Sequence, residues 1–219
     1  MSENTYIKER NSKLSQKVVK ALQKRHFSAI YCETAAEALD EIKKLVTKEE
    51  TISWGGSVTL EQTGITKYLI ENGYNVINRD SAKTPEEKAQ LLRKGLVCDT
   101  FLMSSNAISE DGQLVNIDGT GNRVAALCYG PKRVIVVAGM NKVAKTVEDA
   151  LSRARNIAAP VNMQRINAVM SHRETPCSYT GSCADCVSED SICAQIVTTR
   201  LCKPAGKITV ILVNEELGY

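Results

Sequence analysis

Apolar positions along the chain switch repeatedly between a helical spacing and short strand-like runs, and the switching predicts an α/β fold. Between residues 6 and 25, Leu14, Val18, Val19 and Leu22 recur at three- and four-residue steps among lysines, the pattern of an outer amphipathic helix. Residues 26–32 read as a strand. Thr34-Ala-Ala-Glu37 is a capping box that opens a helix carrying Ala38, Leu39, Ile42 and Leu45. The rhythm then repeats as strand 51–54, helix 59–71, strand 74–78, helix 85–95 and strand 99–104, each strand flanked by Gly, Asn or Asp. The sheet expected from this alternation is largely parallel.

From Asn106 the rhythm changes. Residues 106–118 read as two short strands joined at Glu110-Asp111-Gly112, a hairpin set into the α/β frame. A Gly-rich turn, a short helix from Asn122 and an apolar strand over 133–138 follow. Helices are expected over 146–156 and 160–170, and the chain closes with β-rich runs at 195–201 and 207–213, separated by Pro204-Ala205-Gly206.

Composition narrows the function classes. No segment approaches the ~18 consecutive apolar residues of a membrane span, and the N-terminus lacks the apolar stretch of a secretory signal, so a cytoplasmic location is the expectation. Net charge is +3, the basic residues are dispersed and only 5% of residues are aromatic, which argues against nucleic-acid binding. Cys32, Cys98 and Cys128 sit within or beside apolar stretches and are expected to be buried thiols. His26 and His172 are the two histidines, so a Ser-His-Asp or Cys-His site has few candidate members.

Three turns are candidate sites. Trp54-Gly55-Gly56-Ser57-Val58-Thr59 lies where a strand gives way to a helix, so Gly55, Gly56, Ser57 and Thr59 either approach an anion or form a tight turn with Thr59-x-x-Gln62 as a capping box. Asp118-Gly119-Thr120-Gly121-Asn122-Arg123 is a second such loop. It lacks the third glycine of a dinucleotide fingerprint, but offers backbone donors, Arg123 for an anion and Asp118 for a hydroxyl. In Ser109-Glu110-Asp111-Gly112 the Glu110 carboxylate is either a nucleophile or general base or part of an exposed turn.

The segment 171–194, before the last two β-rich runs, carries the strongest signal. Cys177, Cys183, Cys186 and Cys193 have the spacing Cys-x5-Cys-x2-Cys-x6-Cys among Ser, Thr, Asp, Glu and Gly, which cannot bury four thiols in a core. Four thiolates suit an iron–sulfur cluster of the 4Fe–4S type or a structural Zn²⁺. The spacing matches neither the usual ferredoxin run nor paired zinc knuckles, and a metal-free or disulfide-linked loop remains open.

Residues 55–65, residues 106–126 and the closing Ile211-Leu212-Val213-Asn214-Glu215-Glu216-Leu217-Gly218-Tyr219 together resemble the LUD-domain (lactate-utilisation) family. The likeness runs from about Lys8 to Tyr219 and implies a single LUD domain over residues 1–219. It implies the fold of ribose-5-phosphate isomerases, glucosamine-6-phosphate deaminases and class I CoA transferases: an open, mostly parallel sheet with helices on both faces. Ligands in that fold lie at the Gly-rich loops, here Gly55, Gly56, Ser57, Asp118, Gly119, Thr120, Gly121, Asn122 and Arg123. Family members are associated with an iron–sulfur-containing system that oxidises lactate to pyruvate, which implies a small anionic metabolite, redox partner subunits and a possible homodimer. A CoA-transferase- or sugar-phosphate-isomerase-like reading uses Glu110, because Ser109-Glu110-Asp111-Gly112 matches the Ser-Glu-Asn-Gly nucleophile turn of class I CoA transferases at three of four positions, with Asp111 replacing Asn. A third reading is a regulatory subunit that binds an anionic metabolite without turning it over.

Overall fold

The computed structural model describes residues 3–219 and contains two sheets. The first has five parallel strands, β1 (Ser28–Cys32), β2 (Ile52–Trp54), β3 (Thr100–Met103), β6 (Arg133–Gly139) and β9 (Ile208–Val213), in the order β1-β9-β6-β3-β2. Central parallel strands are covered on both faces and so read as unbroken apolar runs, as Val134 to Ala138 and Ile208 to Val213 do. Successive side chains then divide between two cores. Val134, Val136, Val210, Leu212, Phe101 and Met103 pack with Val18 and Leu22 of α1 (Glu3–Lys24) and with Ala126 and Leu127 of α6 (Asn122–Cys128). Ile135, Val137, Ile211, Val213 and Leu102 face the other way, toward α2 (Ala35–Leu45), α3 (Val58–Gln62) and α4 (Ile65–Glu71).

The hairpin β4 (Ala107–Ser109) and β5 (Leu114–Asp118) is the centre of a second sheet of order β7-β4-β5-β8, with β7 (Val143–Ala144) parallel to β4 and β8 (Gln195–Thr199) antiparallel to β5. The two closing β-rich runs therefore belong to different sheets. Α helix α7 (Val147–Arg153) covers this sheet with Ala150, and Ala154 beyond it completes the small core of Ala107, Val115 and Ile117.

Several boundaries differ from the sequence expectation. Gly64 takes a left-handed conformation, φ 70°, and divides the expected helix 59–71 into α3 and α4. Residues 74–78 form only a single bridge, Val76 to Ile52, in place of a strand. The two helices expected on either side of Pro160 are joined by a π-helical turn, Ala154–Ala158, which leads into α8 (Ala159–Val169) and accommodates the proline at its first turn. Cys32 and Cys98 are buried, whereas Cys128, the last residue of α6, is exposed. Remaining helices are α5 (Pro85–Gly95) and α9 (Pro176–Thr180). Among the described residues no helix is long and apolar enough to cross a membrane.

Candidate functional site

The chain leaving β2, β3, β6 and β9 converges beyond their C-terminal ends, the side on which open α/β sheets place their ligands. Ser57 and Thr59, Ser104 to Asn106, Lys142 and the Gly218-Tyr219 end line one cavity of about 380 Å³. The end of β5 and the inner face of α8 supply the opposite wall through Ile117, Asp118, Asn162 and Ile166. Of the residues expected to bind ligand, Gly56, Ser57, Thr59, Asp118, Gly119, Thr120, Asn122 and Arg123 line this cavity, while Gly55 and Gly121 do not. A Cβ at Gly55 would stand 3.0 Å from Arg123 Cγ, so glycine there lets the strand end pass over the arginine. Α3 is capped by Ser57, whose hydroxyl accepts from Leu60 N, and Gln62 instead accepts from Gly218 N, so Thr59-x-x-Gln62 is not the capping box.

The expected donor cluster at residues 118–123 exists, and the Asp118 carboxylate occupies it. Its Oδ1 accepts from Thr120 N (3.3 Å) and Gly121 N (3.1 Å), and its Oδ2 accepts from Arg123 N (3.0 Å) and Val124 N (3.2 Å). Arg123 is committed in the same way. Its two terminal nitrogens donate to Ser104 O, Asn116 Oδ1, Asn106 Oδ1 and Ile117 O, and its Nε stands 3.8 Å from Asp118 Oδ2. With these donors used, Arg123 contributes charge to the cavity but no free fork for an anion, a correction to the sequence reading.

Other cations around the cavity are less engaged. Arg165 spends one nitrogen on Asn162 Oδ1 and Arg173 one on the Asp190 carbonyl, and among the described residues neither is in an ion pair. Arg79 lies beside Asp80, Nε to Oδ1 3.3 Å, with its buried Nε outside hydrogen-bonding geometry. The acids lining the cavity are Asp118, already consumed, and the exposed Glu189, while Asp80 is ion-paired with Arg79. The cavity is therefore a positively charged chamber with guanidinium donors to spare.

Lys142 is 4% exposed and sits in the turn after β6. Its Nζ donates to Thr59 Oγ1 (2.9 Å) and Ser104 Oγ (3.0 Å), and among the described residues no carboxylate pairs with it. Burial, with the nearby charges of Arg153 and Arg123, pushes this amine down to about 7. Lys142, Arg79, Arg165 and Arg173 are absent from the sequence-derived candidates. The available signal for Lys142 was its place in Gly139-Met140-Asn141-Lys142, directly after an apolar strand end; the arginines lie in segments far apart along the chain.

Glu110 does not join this group. It sits on the hairpin tip, outside the cavity lining, paired with Lys17 (2.5 Å) and Lys145 (3.0 Å). The Lys17 hydrogen bond foremost holds its carboxyl below the usual range. Neighbouring Asp111 pairs with Arg25, and a Cβ at Gly112 would come within 2.7 Å of the α1 backbone at Ala21 and Leu22, so the tip is seated against α1. This arrangement serves docking of the hairpin.

The four cysteines of the 171–194 segment, Cys177, Cys183, Cys186 and Cys193, line a second, smaller cavity of about 50 Å³, with Arg155, Met163 and Ile196. Burial, then the neighbouring Cys183, Cys177 and Cys186, raises the Cys193 thiol to about 11. Arg155 reaches the group from α7's continuation, 4.0 Å from Cys183 Sγ and hydrogen-bonded to Asp185. Among the described residues no three His, Cys, Asp or Glu are already gathered as an ion's ligands. By donor chemistry four thiols around one space fit a soft metal centre. Four thiolates are the donor set of either a tetrahedral Zn²⁺ or an iron–sulfur cluster. Ser191 and Ile192 line both cavities and form the wall between them, and a Cβ at Gly119 would meet Ile192 Cα at 3.1 Å.

Comparison with known proteins agrees with this architecture. The profile described as LUD domain matches residues 15–213. No curated protein matches the chain. A solved structure of a DUF162 family protein from Deinococcus radiodurans is similar with a TM-score of 0.52 at 13% identity, covering 93% of this chain and 98% of that one. At that identity the likeness concerns the fold.

Proposed function

Because this chain belongs to the LUD-domain family, we propose that it is a subunit of an iron–sulfur-dependent system oxidising lactate or a related 2-hydroxy acid. The observation that carries the reading is the shared Ser191-Ile192 wall, which sets a cation-lined cavity beside a space enclosed by four thiols. In this reading Arg79, Arg165 and Arg173 bind the carboxylate, Lys142 faces its 2-position, and Val58, Ile166 and Met170 exclude water from the short apolar tail. Cys177, Cys183, Cys186 and Cys193 hold an iron–sulfur cluster, which when bound supplies one-electron transfer. Arg155 offsets negative charge on the thiolates, and the Ser191-Ile192 backbone separates substrate from sulfur while keeping them adjacent. Cavity, charge and cysteines all belong to one chain, so electrons leave through a redox partner subunit docking near the cysteine segment.

Purification without oxygen, followed by iron, sulfide and zinc analysis and a visible absorption spectrum, tests the reading. Stoichiometric iron and sulfide, lost on Cys183→Ser with Cys186→Ser, is the expected outcome. Zinc alone would make the segment a structural clip, and metal-free protein that still binds carboxylates would make the chain a binding subunit; either result overturns the redox assignment.

A further inference from the structure

Lys142 is a buried amine with which, among the described residues, no carboxylate pairs. A buried ammonium needs an anion or three acceptors, and here the described surroundings offer two, Thr59 Oγ1 at 2.9 Å and Ser104 Oγ at 3.0 Å. Both hydroxyls send their own protons onward, Thr59 to Leu217 O (3.2 Å) and Ser104 to Ser105 O (3.4 Å), so both present lone pairs to the lysine. A neutral amine fits this arrangement: its two N–H groups are accepted, and its one lone pair is left without a protein partner. Gly218 closes over the other side, where a Cβ would stand 3.2 Å from Nζ, and the amine still lines the large cavity. Arg123 and Arg153 face it from α6 and α7 and disfavour its charged form after burial has already done so. The guanidiniums of Arg165 and Arg173 line the same chamber.

We propose that Lys142 is a nucleophilic residue that forms an imine with the ketone carbon of a small 2-oxo acid whose carboxylate the cavity arginines hold. The Nζ lone pair attacks the carbonyl carbon, the C=O π pair moves to oxygen, and oxygen takes up a proton to give a carbinolamine. The two amine protons leave with that oxygen as water while the C=N bond forms, so no oxidant or reductant is consumed. Thr59 and Ser104 hydroxyls, which accept from the amine, hold it in place for the attack. A 2-hydroxy acid fits the same carboxylate site but has no carbonyl to trap. The inference rests on the reading of the cavity as a carboxylate site.

The test mixes the purified chain with pyruvate or lactate, adds borohydride at neutral pH, and locates any reduced adduct by peptide mass mapping; thermal shift with each compound reports binding in parallel. Expected are stabilisation by both compounds and one adduct with pyruvate alone, on Lys142, at least about tenfold above any exposed lysine. Labelling should disappear in Lys142→Met. Stabilisation by both without an adduct overturns the imine and leaves the carboxylate site standing. Adducts spread over exposed lysines and undiminished in Lys142→Met overturn it as well, and neither stabilisation nor adduct overturns both readings.

Discussion

Two groups of charges border the same cavity and have opposite degrees of saturation. On one side Asp118 accepts four backbone N–H bonds and Arg123 spends its terminal donors on four oxygens of the β3–β5 region. On the other, Arg165 and Arg173 keep donors unspent, Arg79 pairs with Asp80 through Nε alone, and among the described residues Lys142 has no anion. The difference separates residues that build the chamber from residues that face its occupant. A fully hydrogen-bonded ionic group fixes loop geometry, whereas an unspent guanidinium beside a cavity is a binding group in waiting.

Breaking the saturated side should have the largest effect. Arg123→Met leaves Asp118, Asn106 and Asn116 without their shared partner, and is expected to cost about 3–5 kcal/mol in denaturant unfolding. Lys142→Met should act with the opposite sign. The folded-state pKa is depressed to about 7 from 10.5, so the unfolded chain holds an extra proton between those values and native stability rises with pH across that window. Relative to Lys142→Met, the wild type should gain about 4 kcal/mol from pH 7 to 10.5, read from paired denaturant titrations. Arg165→Gln is smaller and purely functional: pyruvate affinity should fall about tenfold, or 1.4 kcal/mol, with the melting temperature unchanged. Glu110→Gln should matter least. Its ion pairs with Lys17 and Lys145, both more than half exposed, predict a loss of less than about 1 kcal/mol and an unaltered pyruvate affinity by calorimetry.

Much of the fold was legible because strands β6 and β9, buried on both faces, announce themselves as apolar runs, and α2 begins with a recognisable cap at Thr34. Of the second sheet only the β4–β5 hairpin was legible as a paired unit. Β7 is two residues long and pairs with β4 only through tertiary placement, and β8, Gln-Ile-Val-Thr-Thr, alternates in burial but not in apolar character, so its partner, β5, cannot be read from it. For the site, the Gly55 and Asp118 loops were visible as motifs, but their chemistry depends on which donors are already used, and Asp118 fills the donors that its own loop presents. Lys142, Arg165 and Arg173 carry no local motif; they become a site when the ends of β6 and β9 meet α8. The four cysteines could be grouped by spacing alone, because a short loop confines them whatever the surrounding fold.

Calorimetric titration of pyruvate into the wild-type chain and into the combined Arg79→Gln, Arg165→Gln, Arg173→Gln variant tests the division between builders and binders most directly. Binding lost in the variant, with its melting temperature kept, is the predicted result. Equal affinity in the two proteins would contradict the assignment of the open arginines to a carboxylate ligand.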